Sequence, residues 1–232
     1  MKIRSIAFEC SDISAAEDFY GAVLGLPTMR TEESLRVTAG WTELTLTPGP
    51  VRAGSQHLAF TIPRNTFAGA KTWLRARLPL LRTDEGDEFE CSPFWNARSL
   101  YFEGPDNCVL EFIIRRNLPN DATGDFGSRG ILGVSEVGIS VADVPAFEGA
   151  LRKALNLQPY GQGGATFRPM GDEDGLLIAV EHGRSWFPTA IRAEEQRLLI
   201  GITSGATGEL WANGQCRIRA AKAADPVTTP AP

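Results

Sequence analysis

One histidine and two glutamates occupy strand-like runs at positions that put them on a common face. His57 opens His57-Leu58-Ala59-Phe60-Thr61-Ile62, Glu43 lies in Trp41-Thr42-Glu43-Leu44-Thr45, and Glu111 lies in Val109-Leu110-Glu111-Phe112. Successive side chains of a strand point to opposite faces, so each run divides into two sets. One set is strongly apolar: Leu44 and Leu46; Leu58, Phe60 and Ile62; Leu110, Phe112 and Ile114. The other is smaller and more polar, and it holds all three chelating side chains together with Ser5, Ala7 and Glu9 of the opening run. The apolar set is expected to pack beneath helices and the polar set to line a cup. An imidazole with two carboxylates is a hard, oxygen-rich group that suits Fe, Mn, Ni or Zn better than a thiolate-preferring ion. Such an ion acts as a Lewis acid that polarises a substrate oxygen. Each residue also has a plain structural reading. His57 could be a satisfied core histidine, and Glu111 could pair with Arg98 or Arg115.

The elements that must position these groups repeat along the chain. Ser11-Asp12-Ile13-Ser14-Ala15-Ala16-Glu17 leads into Leu24-Gly25-Leu26, and Ala142-Asp143-Val144-Pro145-Ala146-Phe147-Glu148 leads into Leu155-Asn156-Leu157. A strand pattern precedes each Asp and an amphipathic helix follows it, so the fold is built from copies of one supersecondary unit. In the first copy Ser14-Ala15-Ala16-Glu17 reads as a capping box, and Gly25 stops the helix. A second unit begins at Gln56, with a helix stripe of Phe67, Ala70, Leu74 and Leu78. A third runs from Val134, and a fourth, after Arg197, is expected to have strands but no helix. The expected architecture is α+β, from tandem β-α-β-β-β units pairing into cupped mixed sheets. Residues 1–116 form a first half and residues 131–219 an incomplete second half. Residues 117–130, rich in Asn, Asp, Gly and Pro, read as a linker, and residues 220–232 as a disordered tail.

Composition narrows the function classes. The net charge of −5 argues against nucleic acid as a partner, since phosphate binding needs a clustered positive surface. Arg115-Arg116 is the one adjacent basic pair of note and reads as a solvated strand end. No apolar run approaches the ~20 residues of a membrane helix, and no signal peptide is apparent. Cys10, Cys91, Cys108 and Cys216 are dispersed without metal or redox spacing, so reduced thiols and a cytoplasmic location are expected.

Several segments carry a family likeness: Ile6-Ala7-Phe8-Glu9-Cys10-Ser11-Asp12, Phe19-Tyr20 to Leu24-Gly25-Leu26, His57-Leu58-Ala59-Phe60, and Tyr101-Phe102-Glu103-Gly104-Pro105-Asp106 to Leu110-Glu111-Phe112. The chain resembles the vicinal oxygen chelate superfamily, which comprises glyoxalases, extradiol dioxygenases and bleomycin-type resistance proteins. The resemblance implies that metal ligands come from the first and last strands of the units. Carried over, those positions are Ser5, Glu43, His57 and Glu111, with Glu136 at the first-strand position of the second half. Ser5 departs from the family's usual chelator. The implied metal set is then His57, Glu111 and Glu43, with Glu43 as the catalytic proton carrier of a glyoxalase-like isomerisation. Ring cleavage calls for two histidines, and His182 lies elsewhere, beside a turn glycine.

The pocket candidates are Ser5, Glu9, Trp95, Asn96, Arg98, Tyr101, Glu136 and Arg184. Aromatics with an Arg and an Asn amide could clamp a flat anionic or aromatic ligand. Trp186 and Phe187 are expected to cement the two halves instead. A buried Glu136 needs a cation or an Arg nearby. The functional expectation is a small-molecule protein, with a homodimer as the candidate assembly, that is either a divalent-metal-dependent glyoxalase- or dioxygenase-like enzyme or a non-catalytic binding protein of the resistance type with a degenerate metal site.

Overall fold

The computed structural model describes residues 1–50 and 56–222. The first unit is β1 (Lys2–Cys10), α1 (Ile13–Glu17), β2 (Thr28–Arg30), β3 (Leu35–Ala39) and β4 (Thr42–Pro48). The second is β5 (His57–Thr61), α2 (Phe67–Arg75), β6 (Phe89–Glu90), β7 (Ala97–Glu103) and β8 (Val109–Arg115). The third is β9 (Gly133–Val141), α3 (Val144–Leu155), β10 (Phe167–Asp172) and β11 (Gly175–Glu181). Its missing strand survives as a single bridge from Pro159 to Met170. The fourth is β12 (Leu198–Thr203), β13 (Gly208–Ala212) and β14 (Cys216–Ala221), without a helix.

The repeated aspartates have a shared physical role. Asp12 Oδ1 accepts the Ala15 amide at 3.0 Å, and Asp143 Oδ1 accepts the Ala146 amide at 2.8 Å. Each caps a helix whose first amides have no partner within the helix. Asp12, and not Ser14, is therefore the cap of α1. From Asp18 to Val23 the chain widens into a π-turn, which ends at Gly25 with φ 63°. The strand β14 runs through Ala220 and Ala221, two residues into the segment expected to be a tail. Small side chains can hold the end of a ladder when the neighbouring strand supplies the packing, here Ile202 and Thr203 of β12.

The two sheets join units that are not neighbours in sequence. One sheet has the order β13-β14-β12-β1-β4-β3-β2, and the other β10-β11-β9-β5-β8-β7-β6. The first unit thus shares a sheet with the fourth through antiparallel β1 and β12, and the second with the third through antiparallel β5 and β9. The apolar parity of both sheets, including Ile6, Phe8, Leu58, Phe60 and Phe112, enters one core with the helices. Thr42 links the sheets: its hydroxyl donates to the Ile3 carbonyl at 2.8 Å and accepts the Val134 amide at 2.9 Å. No helix among the described residues is long and apolar enough to cross a membrane.

Candidate functional site

This pairing separates the residues that strand parity had placed on one face. Ser5 and Glu43 pair directly with each other in the first sheet. His57 and Glu111 lie on β5 and β8 of the second. Parity fixes the face of a strand but says nothing about which sheet the strand joins. In the second sheet the residue that meets His57 and Glu111 is Glu136 of β9. One ligand atom from each of these three buried side chains lies within 4.8 Å of the other two.

The sheet registers explain why, among the described residues, only one cup has this group. The ladder between β5 and β9 skips Ser135, and the ladder between β1 and β12 skips Arg4. Equating these bulges makes Ser5 the counterpart of Glu136. Glu111 pairs with the residue two beyond His57, and the same step from Glu136 reaches Ile178. The second sheet therefore presents His57, Glu111, Glu136 and Ile178 at four equivalent positions. The first sheet presents Leu199, Arg219, Ser5 and Thr45. Glu43 lies two residues before Thr45 on β4, in the first sheet, so it does not join the cluster.

Each member of the cluster is held from behind. The Val109 carbonyl lies 2.9 Å from His57 Nδ1, and a carbonyl only accepts, so Nδ1 carries the proton. The Nε2 lone pair is left facing Glu111 Oε2 at 3.6 Å. Burial pushes the His57 pKa down to about 4, so the imidazole is neutral at pH 7. Ser99 donates to Glu111 Oε1 at 2.5 Å, and the Tyr101 hydroxyl donates to the same carboxyl group. Burial, and then the charge of Glu136, lift the Glu111 pKa to about 8. Glu136 is also raised by burial, against the opposing pull of Arg115, which donates Nη2–H to its Oε1.

Arg115 corrects the sequence reading of a solvated strand end. It is fully buried, and its guanidinium carbon lies 5.2 Å from the Trp95 ring centroid. It is the cation that a buried Glu136 required. The sequence showed the face of Arg115, which shares the parity of Glu111 and Ile113, but not its burial. Ser99 is a second residue that the sequence reading missed, and its parity on β7 matches that of Tyr101.

The cluster lies in a cavity of about 420 Å³ with aromatic and aliphatic walls. Trp95, Tyr101, Glu136 and Arg184, all expected at a pocket, line it. Trp186 and Phe187 line it too, instead of only cementing an interface. Trp186 lies in the segment 182–197 that crosses the cup, and it stacks on the His57 ring at a centroid distance of 5.2 Å. Gly138 makes room for it: a Cβ there would stand 2.4 Å from the indole. Phe187 contacts Phe89 and Tyr101 edge-on. Asn96 and Arg98 do not line the cavity. Asn96 adopts φ 44° and donates to Asn117 at 2.7 Å, while Arg98 pairs with Glu88 and Glu90 and covers Phe67. Ser5 and Glu9, like Glu43, belong to the first sheet. His182 lies away from the cluster, between Ser140 and Glu195.

No family model matches the sequence, and no curated protein matches it significantly. Solved structures do match. A candidate dioxygenase from Bacillus subtilis subsp. subtilis str. 168 aligns with a TM-score of 0.61 at 14% identity, over 95% of this chain and 85% of that one. The V278E mutant of glyoxalase I from Zea mays aligns with a TM-score of 0.58 at 13% identity, over 95% of this chain and 92% of that one. Glyoxalase I from Zea mays in another crystal structure gives 0.53 at 14% identity, over 86% and 74%. Likeness over nearly the whole length, at this level of identity, is likeness of fold. With its four repeated units and two cupped sheets, the chain has the vicinal oxygen chelate fold.

Proposed function

We propose that the cup of the second sheet is the active site of a divalent-metal-dependent enzyme that moves a proton on a small molecule with two neighbouring oxygens. The observation that carries this reading is the buried convergence of one ligand atom each from His57, Glu111 and Glu136 within 4.8 Å. Metal–ligand bonds of about 2.0–2.2 Å place ligand atoms about 3–4 Å apart, a separation that small side-chain rotations reach from here. The donor set fits as well. The imidazole is neutral with its free nitrogen directed at the cluster, and all three ligands have partners behind them.

His57, Glu111 and Glu136 would hold the cation. When bound, it would supply Lewis acidity to the two substrate oxygens. The chain's own residues do the rest. Arg115 holds Glu136 in place and pulls it toward the ionised form, against the effect of burial. Glu111, with a pKa near neutrality and hydroxyls of Ser99 and Tyr101 on its carboxyl group, can take or give a proton at Oε2. Trp186 and Trp95 exclude water, which strengthens every charge interaction in the cup. A single imidazole with two carboxylates favours this proton-transfer chemistry over ring cleavage. Glu111 thus takes the role that the sequence reading gave to Glu43.

The test is cation uptake by metal-free protein, followed by activity on α-oxo thiohemiacetals and related vicinal-oxygen compounds. Stoichiometric uptake that His57→Ala abolishes supports the reading. No uptake by the native protein overturns it. The alternative is a binding-only protein, and one observation favours it: Arg115 already balances Glu136, and Ile178 fills the fourth equivalent position. That alternative predicts thermal stabilisation by ligand without any added cation.

A further inference from the structure

Charge varies in one direction along the cavity. The inner end carries Glu111 and Glu136. The walls between are apolar, with Ile178 and Val180 on alternate positions of β11 facing Trp95 and Trp186. Past the end of β11, at the mouth, comes Arg184, the one Arg or Lys among the described residues that line the cavity.

Arg184 is positioned. Its amide donates to the Glu181 carbonyl at 3.1 Å, and its carbonyl accepts the Ala193 amide at 2.8 Å. Its Nη1 donates to Thr166 Oγ1 at 2.9 Å, and its guanidinium carbon lies 5.2 Å from the Phe167 ring centroid. No carboxylate among the described residues forms an ion pair with it, in contrast to Arg98, Arg115 and Arg116. Thr166 occupies Nη1, so the edge formed by Nε and Nη2 remains. That edge is the fork that takes a carboxylate with two parallel hydrogen bonds.

The spacing sets a length. From Ile178, level with the cluster, to Glu181, where the turn to Arg184 starts, is three residues, or roughly 10 Å at ~3.3 Å per residue. An aromatic ring with a three-carbon acid tail matches that span. The orientation is set by the available cation: Arg184 attracts the carboxylate at the mouth, while at the inner end Arg115 is already paired with Glu136.

We propose that the ligand of this cavity is an aromatic carboxylate. Its ring lies between Trp95 and Trp186, and its carboxylate is held by the Nε–Nη2 edge of Arg184. The ring end carries the reacting oxygens, a part that rests on the function proposed above; the carboxylate anchor does not depend on a cation.

The experiment therefore uses metal-free protein. Calorimetric titration with 4-phenylbutyrate is compared with 4-phenylbutan-1-ol, which has the same ring and chain without the charge. The acid is expected to bind at least about tenfold more tightly than the alcohol, the scale of one charge-assisted bidentate contact. Arg184→Gln is expected to remove that preference and leave alcohol binding unchanged, while Arg192→Gln on the same segment keeps the native preference. Arg184 is exposed, so the variant retains the fold. Equal binding of acid and alcohol, an unchanged preference in Arg184→Gln, or no binding of either compound overturns the proposal. A failure of the metal reading appears separately, as absent cation uptake with the acid preference intact.

Discussion

Glu111 and His57 are buried side by side, and burial drives their protonation in opposite senses. The Glu111 pKa rises from 4.5 to about 8, so between those values the folded protein binds more protons than the unfolded chain. Its contribution to stability is therefore lost as the pH rises. The His57 pKa falls from 6.5 to about 4, so its contribution grows as the pH rises to about 6.5 and is then complete. Of these two effects only that of Glu111 remains above 6.5. Metal-free protein is thus expected to lose stability between pH 6.5 and 8, with Glu111→Gln giving a flatter profile there, as read from urea unfolding at a series of pH values. Arg115 allows a second prediction at this scale. Removing one partner of a buried ion pair leaves the other charge uncompensated, so Arg115→Met is expected to cost about 3 kcal/mol. The double variant Arg115→Met/Glu136→Leu should recover most of that loss, which a double-mutant cycle on unfolding free energies measures. Parity alone placed Glu111, Ile113 and Arg115 on one face. The burial of Arg115 was not legible, because a basic pair at the end of a strand looks the same whether the end is wet or dry.

At the scale of elements, the strand-to-helix corners and the covering segment carry the argument. Asp12 and Asp143 cap α1 and α3 in the same way, so Asp143→Ala is expected to cost about 1 kcal/mol, checked by thermal unfolding. The repeat of these aspartates was legible because a cap is a local requirement, satisfied within three residues. The covering segment was not legible in that way. Trp186 and Phe187 carry no period that distinguishes a cup wall from an interface, and their place depends on the gap that Gly138 leaves. A methyl group at Gly138 would stand 2.4 Å from the indole and 3.1 Å from His57 Cβ. Gly138→Ala is expected to displace Trp186 and weaken binding of 4-phenylbutyrate at least tenfold, with a red-shifted tryptophan emission as the second readout.

For the whole molecule, the decisive fact is that the units pair first with fourth and second with third. Glu43 and Glu136 become opposite cases. Glu43→Gln is expected to leave cation uptake at the His57 cup unchanged, and Glu136→Gln to weaken it strongly, as measured by titration of metal-free protein. The sequence by itself determined the repeated unit, the α+β class, the parity of each strand and the identity of His57, Glu111 and Glu136 as polar groups on lining faces. All of these follow from periodicities of two and 3.6 residues and from caps, which act over a few neighbours. Only the tertiary structure decided that β5 pairs with β9 and β1 with β12. Strand pairing is a contest among long-range ladders with nearly identical local patterns, settled by how both sheets bury their apolar faces in one core. That choice took Ser5 and Glu43 out of the candidate site and brought Glu136, with its buried Arg115, into it.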